Sequence, residues 1–121
     1  ANFQVLRPSI IWCDSRASSF GEAAYQALGV DFCQSHLLNS PGNFTASKLA
    51  WVKANQPELY SKISQVMLPG DFIAGRLTKQ FTTTPSALSE GIFWDFPSNE
   101  ISEPLLSYFG FEKSIFKSWY N

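Results

Sequence analysis

The stretch from 45 to 78, TASKLAWVKANQPELYSKISQVMLPGDFIAGRLT, decides the fold class. It reads as helix punctuated twice by proline. Thr45 suits an N-cap, and Leu49 and Val52 supply the apolar face of the first helix. Pro57 and Pro69 each fit the first position of a new helix, where the missing N–H is not needed and the fixed φ is already helical. The spacing then turns Leu59, Ile63 and Val66 inward on the second helix, and Phe72, Ile73 and Leu77 inward on the third.

Upstream, Asn39-Ser40-Pro41-Gly42-Asn43 is loop chemistry. Earlier still stands IIWCDSRA, residues 10–17. Ile10, Ile11 and Trp12 form a short β-prone run after Pro8, which predicts a buried strand. DSRASSFGEAAYQAL, residues 14–28, predicts a helix capped by Asp14 or Ser15, with Phe20, Ala24 and Leu28 on one face and Gly29 as its stop. Strand followed by helix is the first half of a βα unit. Residues 1–9, with turn chemistry at Arg7-Pro8-Ser9, read as linker or appended sequence in part and receive no function.

Downstream, KQFTTTPSALSEGIFWDF, residues 79–96, turns to β-branched residues and Ser. Pro85 interrupts any long helix, and GIFWDF reads as a second strand. The tail gives a turn, a short helix around Leu105 to Phe109 and an aromatic end. The result is an α-rich α/β chain with two or three strands, too few for a doubly wound domain. It is either part of a larger sheet fold or a helical domain with a small sheet.

Composition narrows the function classes. Of 121 residues, 45% are hydrophobic, 16% aromatic and 16% charged, and the formal net charge is −1. So few charges imply either unusually good burial of aromatics or neighbours that normally cover them. No basic stripe invites nucleic acid. No apolar run approaches the roughly 18 residues of a membrane span, and no signal-peptide pattern opens the chain, so it reads as soluble and cytoplasmic. Cys13 and Cys33 are not spaced as C-x-x-C, and His36 is the sole imidazole, which argues against zinc and a disulfide scaffold.

The chemistry-bearing residues leave little room for catalysis. A hydrolase triad on His36 lacks a G-x-S-x-G elbow, and a Cys13 or Cys33 nucleophile has no better support. Asp14, Asp31, Asp71 and Asp95 lack the spacing of a calcium loop. Asn43-Phe44-Thr45 fits a glycosylation sequon in a chain without a secretory signal, which is a chance match. PGNF ahead of the helix could offer backbone N–H groups to an anion, although no phosphate-binding P-loop is present. Asp14 either contacts a ligand at a strand end or simply caps the helix and pairs with Arg16. Trp12 is either a core residue or an apolar platform for a sugar ring. Both questions stay open on the residues alone.

The order of the pieces adds a resemblance. Trp12, Asp14 and Arg16 (W-x-D-x-R), then Lys48, Leu49 and Trp51 (K-L-x-W), then Pro57-Glu58, then Leu68-Pro69 with Asp71-Phe72, then Arg76-Leu77-Thr78, and last a Ser/Ala-rich segment ahead of a strand, resemble the FGGY family of sugar kinases. Within it the xylulose kinases are most similar. The resemblance runs from about residue 7 to 111. It implies a parent of two actin-like, ribonuclease-H-like domains that transfers the γ-phosphoryl of Mg-ATP to a sugar hydroxyl, here a ketopentose with D-xylulose first.

On this resemblance residues 1–121 form a single fragment of the N-terminal, sugar-binding domain. The family's Asp-Gly-Thr hairpin, general-base segment and nucleotide-binding domain have no counterpart in it, so the isolated chain is expected neither to phosphorylate sugar nor to bind ATP. ATP and Mg2+ belong to the parent. Its partners would be the sugar and the remainder of the kinase chain, with no nucleic acid or membrane; a homodimeric parent stays open. Trp12 is the expected sugar contact. Asp14 and Arg16 order the pocket wall or touch sugar, and Asn43 and Phe44 lie near the ligand. No catalytic or metal residue is expected. Lys48 and Trp51 are expected to pack, and Asp71 to suit a helix first turn.

Two departures stand out. Lys79 replaces the family's usual Gly after R-L-T, a surface change of little functional weight. TTTPSALSEG puts Thr84 in an Asp position and Glu90 in place of a small residue, which leaves the sugar itself in doubt. The competing reading is a stand-alone helical interaction module whose exposed aromatics, Phe93, Trp94, Trp119 and Tyr120, dock on a partner.

Overall fold

The computed structural model describes residues 3–116. Helix dominates. α1 spans Ser18–Leu28 and buries Gly21 and Ala24. It starts later than expected, after Ala17, because the Asp14 carboxylate is occupied by Arg16 and caps no helix. Gly29 ends it as predicted, at φ 94°, its N–H donating to Tyr25 O at 3.1 Å. A short α2, Val30–Phe32, continues into a π-helical turn, Cys33–Leu37.

After the predicted loop comes α3, Thr45–Asn55, which buries Leu49 and Val52 as expected. Thr45 is its first helical residue and not its cap. Phe44 holds the cap position, and the Ala46 N–H is satisfied by Gly91 O at 3.1 Å. That bond ties the start of α3 to the distant segment around Gly91, so no side-chain cap is required.

The two prolines open helices where predicted, α4 at Pro57–Tyr60 and α5 at Pro69–Thr78. α4 is a single turn, and Ile63 and Val66 pack against the core from beyond its end. On α5 the predicted inward face is wrong for Ile73 and Leu77, which are 58% and 79% exposed. Only Gly75 is buried on this helix, and Phe72 meets the Phe3 ring edge-on at 6.4 Å.

Pro85 starts a helix where the sequence reading had it only interrupt one. α6 spans Pro85–Glu90, and Thr84 Oγ1 accepts from the Ala87 N–H at 3.1 Å as its cap. Then β1, Trp94–Asp95, pairs antiparallel with β2, Glu100–Ile101, in the register Trp94 to Ile101 and Asp95 to Glu100. The expected strand over 91–96 is thus much shorter, since Ile92 takes a left-handed φ of 67° that breaks the extended run before Trp94. α7, Glu103–Phe109, is capped by Ser102, and a 3₁₀ turn follows at Lys113–Phe116.

The predicted strand at Ile10–Trp12 does not form. A strand needs a paired neighbour, and the sheet among the described residues is the β1–β2 pair alone. The Ile11 carbonyl accepts instead from the Asp14 N–H and Lys48 Nζ. Ile11, expected to be buried in that strand, is 56% exposed, and Trp12, left open between core residue and platform, is 88% exposed and so no core residue.

One core joins the layers. Leu37, Leu49, Leu88, Ile101, Leu105 and Leu106 pack with Phe93, Trp94, Phe111 and Phe116. Phe93 and Trp94 are each only 3% exposed, so they cannot be the docking aromatics of an interaction module. Trp119 and Tyr120 lie outside the described residues. Among the described residues no helix is long and apolar enough to cross a membrane.

Candidate functional site

Of the residues expected at the site, Trp12, Asp14 and Arg16 lie within the turn at 10–16, and Asn43 bonds to it. Asp14 N–H donates to Ile11 O at 3.1 Å and folds the chain back on itself. Arg16 then closes on the Asp14 carboxylate, Nη2 at 2.6 Å from Oδ2 and Nε at 3.0 Å from Oδ1, with its backbone N–H at 3.0 Å from Oδ1. These hydrogen bonds, the side-chain one first and the backbone one next, hold Asp14 below the usual carboxylate range. The same side-chain bond raises Arg16, which stays cationic throughout.

The loop at 39–44 buttresses this turn. Asn43 Nδ2 donates to the Asp14 carbonyl at 2.6 Å, so Asn43 meets the predicted group through its backbone. Its Oδ1 is buried and has no hydrogen-bond partner among the described residues. α1 fixes the loop from below: Gly21 is buried, and a Cβ there would overlap the Gly42 carbonyl. Phe44 is partly exposed beside Asn43, at 37%.

α3 supplies the other wall. Lys48 Nζ donates to Ile11 O at 3.1 Å. The Arg16 guanidinium carbon lies 4.8 Å from the Trp51 ring centroid, and that of Arg7 5.7 Å. The packing role expected of Lys48 and Trp51 is therefore contact with this turn. Sequence reasoning missed Arg7, because nothing local in Arg7-Pro8-Ser9 signals an indole more than forty residues on.

The turn thus presents a solvent-facing indole two residues before an ion pair, an apolar face and a polar group of the kind that together bind a polyhydroxylated ring. It holds no nucleophile–base pair. His36 sits with Asp95, Nδ1 to Oδ2 at 3.0 Å. Asp71, in the first turn of α5, accepts from Thr83 Oγ1 at 2.7 Å, in keeping with its structural reading. Among the described residues no group of three or more His, Cys, Asp or Glu is placed to hold a metal.

The sequence profile of the FGGY family of carbohydrate kinases, N-terminal domain, matches residues 1–120. The chain belongs to the FGGY carbohydrate kinase family. It is 31% identical over 106 residues to a xylulose kinase of Escherichia coli K12, covering 88% of this chain and 22% of that protein. It is 32% identical over 111 residues to a xylulose kinase of Staphylococcus xylosus, covering 91% and 23%. The crystal structure of a Rhodospirillum rubrum xylulose kinase superposes with a TM-score of 0.85 at 23% identity, over 93% of this chain and 23% of that one. The α-rich α/β fold is thus that of FGGY sugar kinases, and the chain spans less than a quarter of the length of these three xylulose kinases.

Proposed function

We propose that this FGGY chain forms one wall of the sugar pocket of an ATP-dependent kinase for a ketopentose, foremost D-xylulose, with xylulose 5-phosphate as product. The observation that carries the reading is Trp12. Its large indole is 88% exposed two residues before the preorganised Asp14–Arg16 pair and next to an exposed Ile11, an apolar surface that suits a ligand, and relatives bearing the name xylulose kinase match 88% and 91% of this chain. In this reading Trp12 stacks on the C–H face of the sugar and Arg16 offers donors to hydroxyls. Asp14 orients Arg16, Asn43 holds the Asp14 backbone, and Phe44 borders the pocket.

ATP and Mg2+ would be held by parts of the kinase other than these residues, and the cytoplasm, where ATP is made, is the compartment we assign. The test is sugar-dependent ATP consumption by the full-length gene product, with D-xylulose, D-ribulose, gluconate and glycerol compared. We expect the highest kcat/KM on D-xylulose, no turnover by the 121-residue chain alone, and a rise of roughly tenfold in sugar KM for Trp12→Ala, the worth of one good apolar contact. A full-length protein that consumes ATP no faster with any of the sugars would overturn the reading. Preference for another of them would overturn only the choice of xylulose.

A further inference from the structure

We infer that Trp51 and Lys48 of α3 are the positioning residues of the Trp12 turn, pinning it at both ends and in the middle. The inference rests on the sugar-facing reading of that turn. The turn at 10–16 contains neither helix nor strand, so its shape must come from elsewhere. Arg7 and Arg16 bracket it in sequence, and both guanidiniums lie over the one Trp51 indole, at 5.7 and 4.8 Å. Lys48, three residues earlier and hence on the same helix face, takes the Ile11 carbonyl at 3.1 Å.

Each tether has a separate physical basis. Arg7 Nε is buried without a hydrogen-bond acceptor among the described residues, and the Trp51 ring, 5.7 Å from the guanidinium carbon, is the contact that holds this side chain against α3. Arg16 is shared between the Asp14 carboxylate and the indole, which couples the ion pair to α3. Lys48 brings a charge-assisted bond to a carbonyl that a β-ladder would otherwise have used. Asn43 completes the set at the Asp14 carbonyl. Trp12 makes none of these contacts and stays free for a ligand, while its backbone is ordered before binding. Ordering the loop in advance removes that cost from the binding step.

The substitutions Trp51→Leu, Trp51→Phe and Lys48→Met separate this role from filling space. Leucine keeps an apolar side chain but no ring face; phenylalanine keeps the face. Amide hydrogen exchange across 7–17 in the 121-residue chain should rise about threefold for Trp51→Leu, roughly tenfold for Lys48→Met, and stay near wild type for Trp51→Phe. Exchange in α7 and the β1–β2 hairpin should not change. Leu and Phe variants that behave alike, or a Lys48→Met turn as protected as wild type, would sink the inference. If Trp51→Leu loosens the whole chain, Lys48→Met decides alone. In the full-length kinase the same variants should raise sugar KM and leave kcat and the KM for ATP unchanged; a fall in kcat with sugar KM constant counts against positioning. A wild-type kinase inert to every sugar would remove the proposed function, yet the exchange result would still decide the pinning.

Discussion

Arg16 grips both carboxylate oxygens of Asp14, Nη2 lying 2.6 Å from Oδ2 and Nε 3.0 Å from Oδ1, across only two residues of chain. The grip holds the folded Asp14 below the unperturbed value of about 3.9. A carboxylate with a lowered folded value is protonated first in the unfolded chain. Its contribution is therefore present above about pH 4 and lost as pH falls through the folded value. Both side chains are partly exposed, so solvent screening keeps the effect on stability small and the titration itself is the better readout. The carbon-13 carboxyl signal of Asp14 should titrate below 3.9, and Arg16→Gln should bring the midpoint back up. An unmoved midpoint in that variant would show that Arg16 is not the cause.

Gly21 gives a sharper structural test, because α1 reaches the 39–44 loop by backbone contact. Alanine is the better helix former, and on propensity alone Gly21→Ala should stabilise α1. The added methyl would instead collide with the Gly42 carbonyl, a backbone atom that cannot rotate away. We expect a loss of about 1–3 kcal/mol in urea unfolding. A gain would mean that the loop yields easily and that its position beside Asp14 is not set by α1.

Lys79 closes α5 in the left-handed region, at φ 63° and ψ 24°, its N–H donating to Gly75 O at 2.7 Å. Glycine takes that conformation without the steric penalty a Cβ brings. The glycine expected at this position from the family resemblance thus has a backbone reason, and lysine is more than a surface change. Lys79→Gly should stabilise the chain by about 0.5–1 kcal/mol, read as a higher thermal midpoint, while Lys79→Ala should give no comparable gain.

What the sequence disclosed follows from the range of each interaction. Pro57, Pro69 and Gly29 act through their own backbone, so the helix ends they mark were legible, as was the loop from Asn39 to Asn43. The strand at Ile10–Trp12 was not, since β structure depends on a distant partner that no local pattern supplies. Ile73 and Leu77 failed for a related reason: periodicity identifies an apolar face but not whether a neighbour exists to cover it. At the site, Asp14 with Arg16 could be paired from spacing. The contacts of Arg7 and Lys48 could not, because each spans more than thirty residues of chain.

The two thiols should separate cleanly. Cys33 is buried in the π-helical turn and burial raises its pKa, whereas Cys13 is exposed in the Trp12 turn. At pH 8 a thiol reagent should modify one cysteine per native chain and both in denaturant, with Cys13 the native adduct by mass spectrometry. A raised folded value means the native chain keeps a proton that the unfolded chain gives up from about pH 8.5. Stability should accordingly fall as pH rises above that point. Native labelling of Cys33 as fast as Cys13 would contradict the burial.

His36 and Asp95 join the π-helical turn to the β-hairpin. His36 Nδ1 lies 3.0 and 3.2 Å from the two Asp95 oxygens, and the geometry assigns the proton to Nδ1, because a carboxylate can only accept. Asp95 is otherwise served by the Ser98 N–H at 3.3 Å, and its side chain is only 9% exposed. His36→Leu strands a buried carboxylate and should cost about 1–3 kcal/mol. Replacing both partners removes the stranded charge, so His36→Leu with Asp95→Leu should lose less than the two single losses added together. A double-mutant cycle by urea unfolding measures that difference directly. Additive losses would show that the imidazole merely stacks on Phe32, its ring neighbour at 4.6 Å, and that the carboxylate is satisfied without it.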